Sequence, residues 1–385
     1  MDRIYLDHNA TTPLDPRVLE AMLPVLRDGV GNASSLHWFG QRARAIVDEA
    51  RGHVATLIGA APAEIVFTGS GTEADNMALR GLVAASAPGR RRLVYTAIEH
   101  HAVTNTAKGL AEEGVPVACV RATADGRVDL DELGRLVDAE TAVVALMLAN
   151  NETGVIQPLG DVVRIARERG VLVHCDGVQA VGKIPVDVRG FDVDTLAVSA
   201  HKLYGPQGVG ALYVKRGARL TALLRGGSQE RNRRAGTENV AGIAGFGRAA
   251  QIARAELATE APRLGALRDL LETRLLATAG CCRNGELARV PNTTNLSFDG
   301  CEAESLLMAL DLAGLAVSTG AACAAGAIQP SHVLRGMGLA ASRVQSSLRF
   351  SLGRGTTLAE IDRAALLVEE AVARQRRLRA VSSAH

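Results

Sequence analysis

From about residue 16 to 255 the chain alternates short, unbroken apolar runs with stretches of helical periodicity. The runs fall at 65–68, 93–97, 142–148, 171–175, 195–199 and 210–214. Between them lie amphipathic segments such as 161–169, with apolar residues at helical spacing. Unbroken apolar strands separated by helices imply a mostly parallel sheet covered on both faces. After residue 256 the rhythm changes. A long helical stretch leads to runs at 294–298, 315–318 and 348–352, with helices near 302–312 and after Thr357. This predicts a smaller α+β domain, and the helical pattern runs through the boundary.

The length agrees with such a division. At roughly 150 residues per domain, 385 residues make two or three domains. The charges nearly balance, 43 basic against 41 acidic, which argues against a protein that neutralises nucleic-acid phosphates. Aromatics at 3% leave no stacking platform for single strands. The first eight residues are too polar for a signal peptide, and no apolar run is long enough to span a bilayer. The six cysteines form no C-x-x-C pair and are too sparse for a disulfide framework. The expected setting is cytoplasmic and reducing, with no nucleic acid and no membrane.

In an open α/β sheet, ligands bind where the strands end. The run at 65–68 ends in Gly69-Ser70-Gly71-Thr72-Glu73-Ala74, opening a helix. Glycines and a helix N-terminus make a phosphate cradle; an ordinary strand-to-helix turn reads equally well. The turn also fits the dinucleotide fingerprint G-x-G-x-x-A. No early βαβ start precedes it and no acid follows at the required distance, which argues against a nicotinamide or flavin site. The run at 93–97 leads to Glu99-His100, and that at 142–148 to Asn150-Asn151-Glu152-Thr153-Gly154. The run at 171–175 leads to Asp176 and Gln179, and that at 195–199 to Ala200-His201-Lys202.

Lys202 is the most telling of these. A lone lysine in a loop is usually solvated. Here an acid, Asp176, ends the preceding run. An acid and a lysine on adjacent strand ends match what pyridoxal phosphate requires: an amine for the Schiff base and a carboxylate to keep the pyridine nitrogen protonated. Thr72, Ser199 and His201 are placed to hold phosphate. His100 is placed to stack on the ring and shuttle protons, or is simply a hydrogen-bonded loop histidine. Cys323 sits in Ser318-Thr319-Gly320-Ala321-Ala322-Cys323-Ala324-Ala325-Gly326, a segment of small residues. It reads as a small core hydrophobe or as a reactive thiol on a mobile loop. Composition favours the first.

Several stretches then occur in order along nearly the whole chain. They are Tyr5-Leu6-Asp7-His8-Asn9-Ala10-Thr11-Thr12, Gly71-Thr72-Glu73-Ala74-Asp75-Asn76, Glu99-His100, Asn150-Asn151-Glu152-Thr153-Gly154, Asp176 with Gln179, Ser199-Ala200-His201-Lys202, Arg234-Ala235-Gly236-Thr237-Glu238-Asn239 and Leu348-Arg349-Phe350-Ser351-Leu352. Together they resemble the cysteine desulfurases of the NifS/IscS type, within the class V aminotransferase family.

The resemblance implies a homodimeric fold-type I enzyme with pyridoxal 5'-phosphate as cofactor. Residues 16–257 would form the large domain around a mostly parallel seven-stranded sheet. Residues 1–15 and 258–385 would form the small α+β domain with the cysteine loop. Lys202 would carry the Schiff base, Asp176 pair with the pyridine nitrogen and Gln179 with the ring hydroxyl. Gly71, Thr72, Ser199, Ala200 and His201 would surround the phosphate side, with Thr237 supplied by the partner subunit. His100 and Asn151 would complete the cofactor contacts, and Asn151 and Arg349 would hold the substrate carboxylate.

Cys323 would take sulfur from L-cysteine as a persulfide, leaving L-alanine, and pass it to an acceptor such as an iron–sulfur scaffold protein. It would also be a transient iron–sulfur ligand through that persulfide. Selenocysteine cleavage or transamination is the alternative within the family. The sequence departs from the family pattern at Ala321, Ala324 and Ala325, where hydroxyl residues are usual, and at Ser228, where histidine is common.

Overall fold

The computed structural model describes residues 3–286, 288–320 and 330–381, with the backbone alone at 323–324, 327–328 and 382. Its centre is a seven-stranded sheet. In spatial order the strands are Ile65–Thr68, Gly210–Val214, Thr195–Ser199, Leu172–Asp176, Thr141–Met147, Arg92–Thr96 and Val117–Val120. Only Gly210–Val214 runs antiparallel to its neighbours. The other strands therefore end on one edge, where ligands of such sheets bind. All residues of Thr141–Met147 are buried, as are all those of Thr195–Ser199. Burial on both faces explains why these runs carry no polar alternation.

Val117–Val120 was not among the expected strands. It pairs only with Arg92–Thr96, follows Pro116 and is part exposed, so neither flank nor burial marks it in the sequence. The helix expected at 161–169 runs Leu159–Arg167, with Pro158 at its N-cap.

A second core gathers both ends of the chain. Ile4 and Leu6 pack with Leu271, Leu275, Leu296, Phe298, Phe350 and Val368. Here Ile4–Tyr5 pairs parallel with Leu315–Ala316, and Thr293–Phe298 is the middle strand between Ser347–Ser351 and Cys281–Arg283. The 37-residue helix Val240–Leu276 ties the two cores together. Its Ile243, Phe246 and Ala250 lie in the first, and its Leu264, Leu271 and Leu275 in the second.

One buried ion pair braces the sheet beside the glycine turn. Arg51 donates to both carboxylate oxygens of Glu230 at 2.7 Å, and to the Ile65 carbonyl at 2.9 Å. The Phe67 amide also donates to Glu230, at 3.0 Å. Glu230, Arg231 and Asn232 all have left-handed backbones, φ 46°, 59° and 61°. Three non-glycine residues in that region store strain, which the Glu230 clamp must hold. Glu230→Ala would leave the Arg51 charge buried without its partner. We expect it to destabilise the fold by about 3–5 kcal/mol in a denaturant titration. A loss under about 1 kcal/mol would mean that the pair is effectively solvated.

Candidate active site

Between the strand ends and the second core lies a cavity of 380 Å³. Its wall includes Gly71, Thr72, His100, Asn151, Asp176, Gln179, Ser199, His201, Lys202 and Arg349. Chain segments far apart in sequence thus converge as expected. Ala200 is behind the wall: its amide donates to Val209, and its carbonyl accepts from Leu203 and Gly205. Thr237 is exposed and does not line this cavity. The side chain of Cys323 lies outside the described residues. Its backbone pairs antiparallel with Ile328. Ser318 and Gly320 before it, and His332 after it, line the cavity. Among the described residues, no three His, Cys, Asp or Glu side chains group to hold a metal ion.

At the glycine turn, Ser70 caps the helix Gly71–Ala85 by accepting from the Glu73 amide at 3.1 Å. The first-turn amides of Gly71 and Thr72 have no acceptor within the helix and carry its positive dipole end. A Cβ on Gly71 would stand 2.9 Å from Val178 Cγ2, so a larger residue would have to displace that side chain. A helix N-terminus of this kind can receive an anion.

Asp176 ends its strand opposite Ala197 of the next one, and its Oδ1 accepts from the Val178 amide at 2.9 Å. Burial pushes its pKa up to about 6, against the pull of that amide and of Lys202. Lys202 donates to the carbonyls of Asn9, at 2.7 Å, and Ala10, at 2.6 Å. Burial, then the charge of Arg349, brings its pKa down to about 8. Such an amine gives up its proton more easily than an ordinary lysine, and so is more nucleophilic. His100 caps the helix His101–Glu112, its Nδ1 accepting from the Ala102 amide at 3.1 Å. Burial and Lys202 lower its pKa to about 4, so the ring is neutral with its proton on Nε2.

Arg349 donates to the Asn151 carbonyl at 3.0 Å and to Asp7 at 2.5 Å. Its Nε is buried without a partner, a donor left over for a ligand. Gln179 donates to the Asn9 carbonyl at 3.0 Å. His201 shares a hydrogen bond with Thr11 at 3.0 Å.

Sequence reasoning gave no role to several buried groups here. Glu99 accepts from Thr96 Oγ1 at 2.5 Å and from the Met147 amide at 2.9 Å, and burial raises its pKa to about 8. Asp75 lies 3.1 Å from His174 Nε2, and burial, then Asp176, keeps it well above the carboxylate range. Glu152 accepts from Ser331 at 2.5 Å, beside the segment that carries Cys323. Glu99 and Glu152 stand within the quoted motifs, so their burial was the missing information rather than their identity.

Comparison with known proteins places this geometry. The family described as Aminotransferase class-V matches residues 4–364. A cysteine desulfurase of a Nostoc species is 47% identical over 380 residues, covering 98% of this chain and 95% of that protein. A cysteine desulfurase of Bradyrhizobium diazoefficiens is 46% identical, covering 97% and 95%. Among solved structures, a NifS-like protein superposes with a TM-score of 0.91 at 38% identity, covering 96% of this chain and 99% of that one. The structure titled SspA in complex with cysteine has a TM-score of 0.80 at 31% identity, covering 91% and 98%. With the family match spanning almost the whole chain, this protein belongs to the class-V aminotransferases.

Proposed function

We propose that this protein is a pyridoxal-phosphate-dependent cysteine desulfurase, which converts L-cysteine to L-alanine and moves the sulfur to its own Cys323. The observation that carries the reading is the meeting of the Lys202 amine and the Asp176 carboxyl in one cavity, beside the anion cradle at Gly71. These residues fit the cofactor. An acid suits the pyridine nitrogen, and the helix N-terminus suits the phosphate. When bound, pyridoxal phosphate supplies an electron sink for charge released at the substrate α-carbon.

Within this reading Lys202 holds the cofactor and moves the proton at the α-carbon. With pyridoxal phosphate bound, Asp176 would keep the pyridine nitrogen protonated and Gln179 would meet the ring hydroxyl. Thr72, Ser199 and His201 hold phosphate with the Gly71 amide, and Thr237 comes from a second copy of the chain. His100 would lie against the bound ring, with Nε2–H as its donor. Asn151 and Arg349 take the substrate carboxylate, for which the planar guanidinium fork is suited. The Cys323 thiolate attacks the sulfur of cysteine. An S–S bond forms as the carbon–sulfur bond breaks, the carbon is protonated, and alanine leaves a persulfide behind.

The persulfide then serves a sulfur-acceptor protein of iron–sulfur cluster assembly or another thiolation, with Cys323 as a transient cluster ligand. Residues 16–257 form the cofactor lobe, and 1–15 with 258–385 the lobe bearing Cys323; the cluster around Phe298 and Phe350, which draws only on residues of the second lobe, supports this division. Two features support a homodimer: Thr237 does not line its own cavity, and the large apolar side chains of Leu23, Leu26, Trp38 and Phe39 are exposed. The setting in this reading is cytoplasmic; among the described residues no helix is long and apolar enough to cross a membrane.

The test is product analysis. Protein loaded with pyridoxal phosphate is given L-cysteine and a thiol reductant. Alanine and sulfide should form in equal amounts. Pyruvate and ammonia in place of alanine would overturn the assignment.

A further inference from the structure

Asn9 is buried and uses every polar atom it has. Its amide donates to Ser351 at 2.9 Å, and its Nδ2 to the Asn151 carbonyl at 3.1 Å. Its carbonyl accepts from Gln179 at 3.0 Å and from Lys202 at 2.7 Å. Its Oδ1 accepts from Lys183 at 2.9 Å and from Asn292 at 3.1 Å, and its Nδ2 also donates to Thr293 at 2.9 Å. One residue thus joins two of the proposed cofactor contacts, Gln179 and Lys202, a proposed substrate contact and a strand of the second core.

Lys183 is an unusual partner. It follows Gly182 in a turn, where a lysine normally points to water. Instead its amine is enclosed between Asn9 Oδ1 and Gln179 Oε1, at 2.9 Å and 2.5 Å. Burial, followed by the charges of Lys202 and Arg349, holds its pKa well below the usual lysine value. Its two acceptors come from Asn9 and Gln179, so this one side chain ties two residues of the cavity wall together.

The same count applies to Lys202. Its amine rests on two carbonyls, those of Asn9 and Ala10. When neutral it gives one N–H to each and keeps its lone pair uncommitted.

We propose that the Asn9 and Ala10 carbonyls are the resting cradle of the Lys202 amine in the interval when substrate has displaced it from the cofactor, and that Lys183 is a positioning residue that, with Asn292 and Thr293, keeps Asn9 in register. Each turnover must release this amine and then recapture it. A free lysine chain has many rotamers, and a cradle holds it near the one that reacts. The inference rests on Lys202 being the cofactor-bearing lysine.

The test uses loaded enzyme and a limiting pulse of L-cysteine in stopped flow. The resting visible band should vanish and then return. In Lys183→Met the return should slow about tenfold, the size expected when one positioning hydrogen bond is lost. The KM for cysteine, the starting band and the thermal midpoint should stay as in the wild type. Lys183→Gln, which keeps a donor for Asn9, should return nearly as fast as the wild type.

A wild-type return rate in Lys183→Met would overturn the proposal. So would a fall in band, stability and return rate together, which marks a structural role only. If Lys183→Met does not fold, Asn9→Ala is read by the same rate, with the same two overturning results. A wild-type enzyme without any starting band would instead refute Lys202 as the cofactor lysine.

Discussion

Lys202→Ala is expected to fold, to keep its cavity, and to lose the visible absorbance that pyridoxal phosphate gains on joining a lysine. Turnover of cysteine should fall at least about 10⁴-fold, because a positioned proton carrier and the covalent tether are lost together. Folding should survive because the amine is not a stabilising ion pair. Burial depresses its pKa to about 8, with the Arg349 charge acting in the same direction.

The sign of that shift gives a second readout on cofactor-free protein. The unfolded lysine binds its proton up to its ordinary value of 10.5. Between pH 8 and 10.5 the unfolded chain therefore holds more protons than the folded one, and stability from this group rises with pH. Below pH 8 the burial penalty is fully present. Lys202→Ala removes the penalty, so the variant should match or exceed the wild type at neutral pH and lose that advantage toward pH 10.5. An unchanged visible band in the variant would show that another amine carries the cofactor. Lys183, enclosed nearby, is the amine to examine next.

The site was legible in the sequence where chemistry coincides with a strand end. Asp176, Ser199 and Lys202 stand at the ends of buried apolar runs, and such runs mark both the strand and the edge at which ligands bind. Other contributions have no signature in the chain. The acceptors for Lys202 are main-chain carbonyls of Asn9 and Ala10, and any residue supplies a carbonyl. Lys183 reads as a surface charge, because its acceptors, Asn9 and Gln179, meet only through the tertiary fold. His174 and Asp75 likewise meet across adjoining elements, His174 behind the cavity wall and Asp75 in it. The fold was legible for the same reason and failed in the same way. Fully buried strands announced themselves, and the part-exposed edge strand Val117–Val120 did not.

Cys323→Ala is expected to bind pyridoxal phosphate normally and to change its spectrum on adding cysteine, yet to release almost no sulfide or alanine. A nucleophile's loss should lower multiple-turnover rates on the order of 10³-fold or more. The case for Cys323 is partly one of elimination. Burial raises the pKa of Cys175, Cys301 and Cys119, and pushes that of Cys281 up to about 12. These remain thiols at neutral pH, and the thiolate is the nucleophile. Cys282 is exposed on the strand Cys281–Arg283 of the second core, and is absent from the cavity wall. Cys323 follows Gly320, which lines the cavity, and three residues span at most about 10 Å. Cys282→Ala should therefore leave sulfide release unchanged. Full activity in Cys323→Ala would remove the persulfide step. A keto acid among its products would mean transamination, which uses Lys202 and Asp176 but requires no thiol.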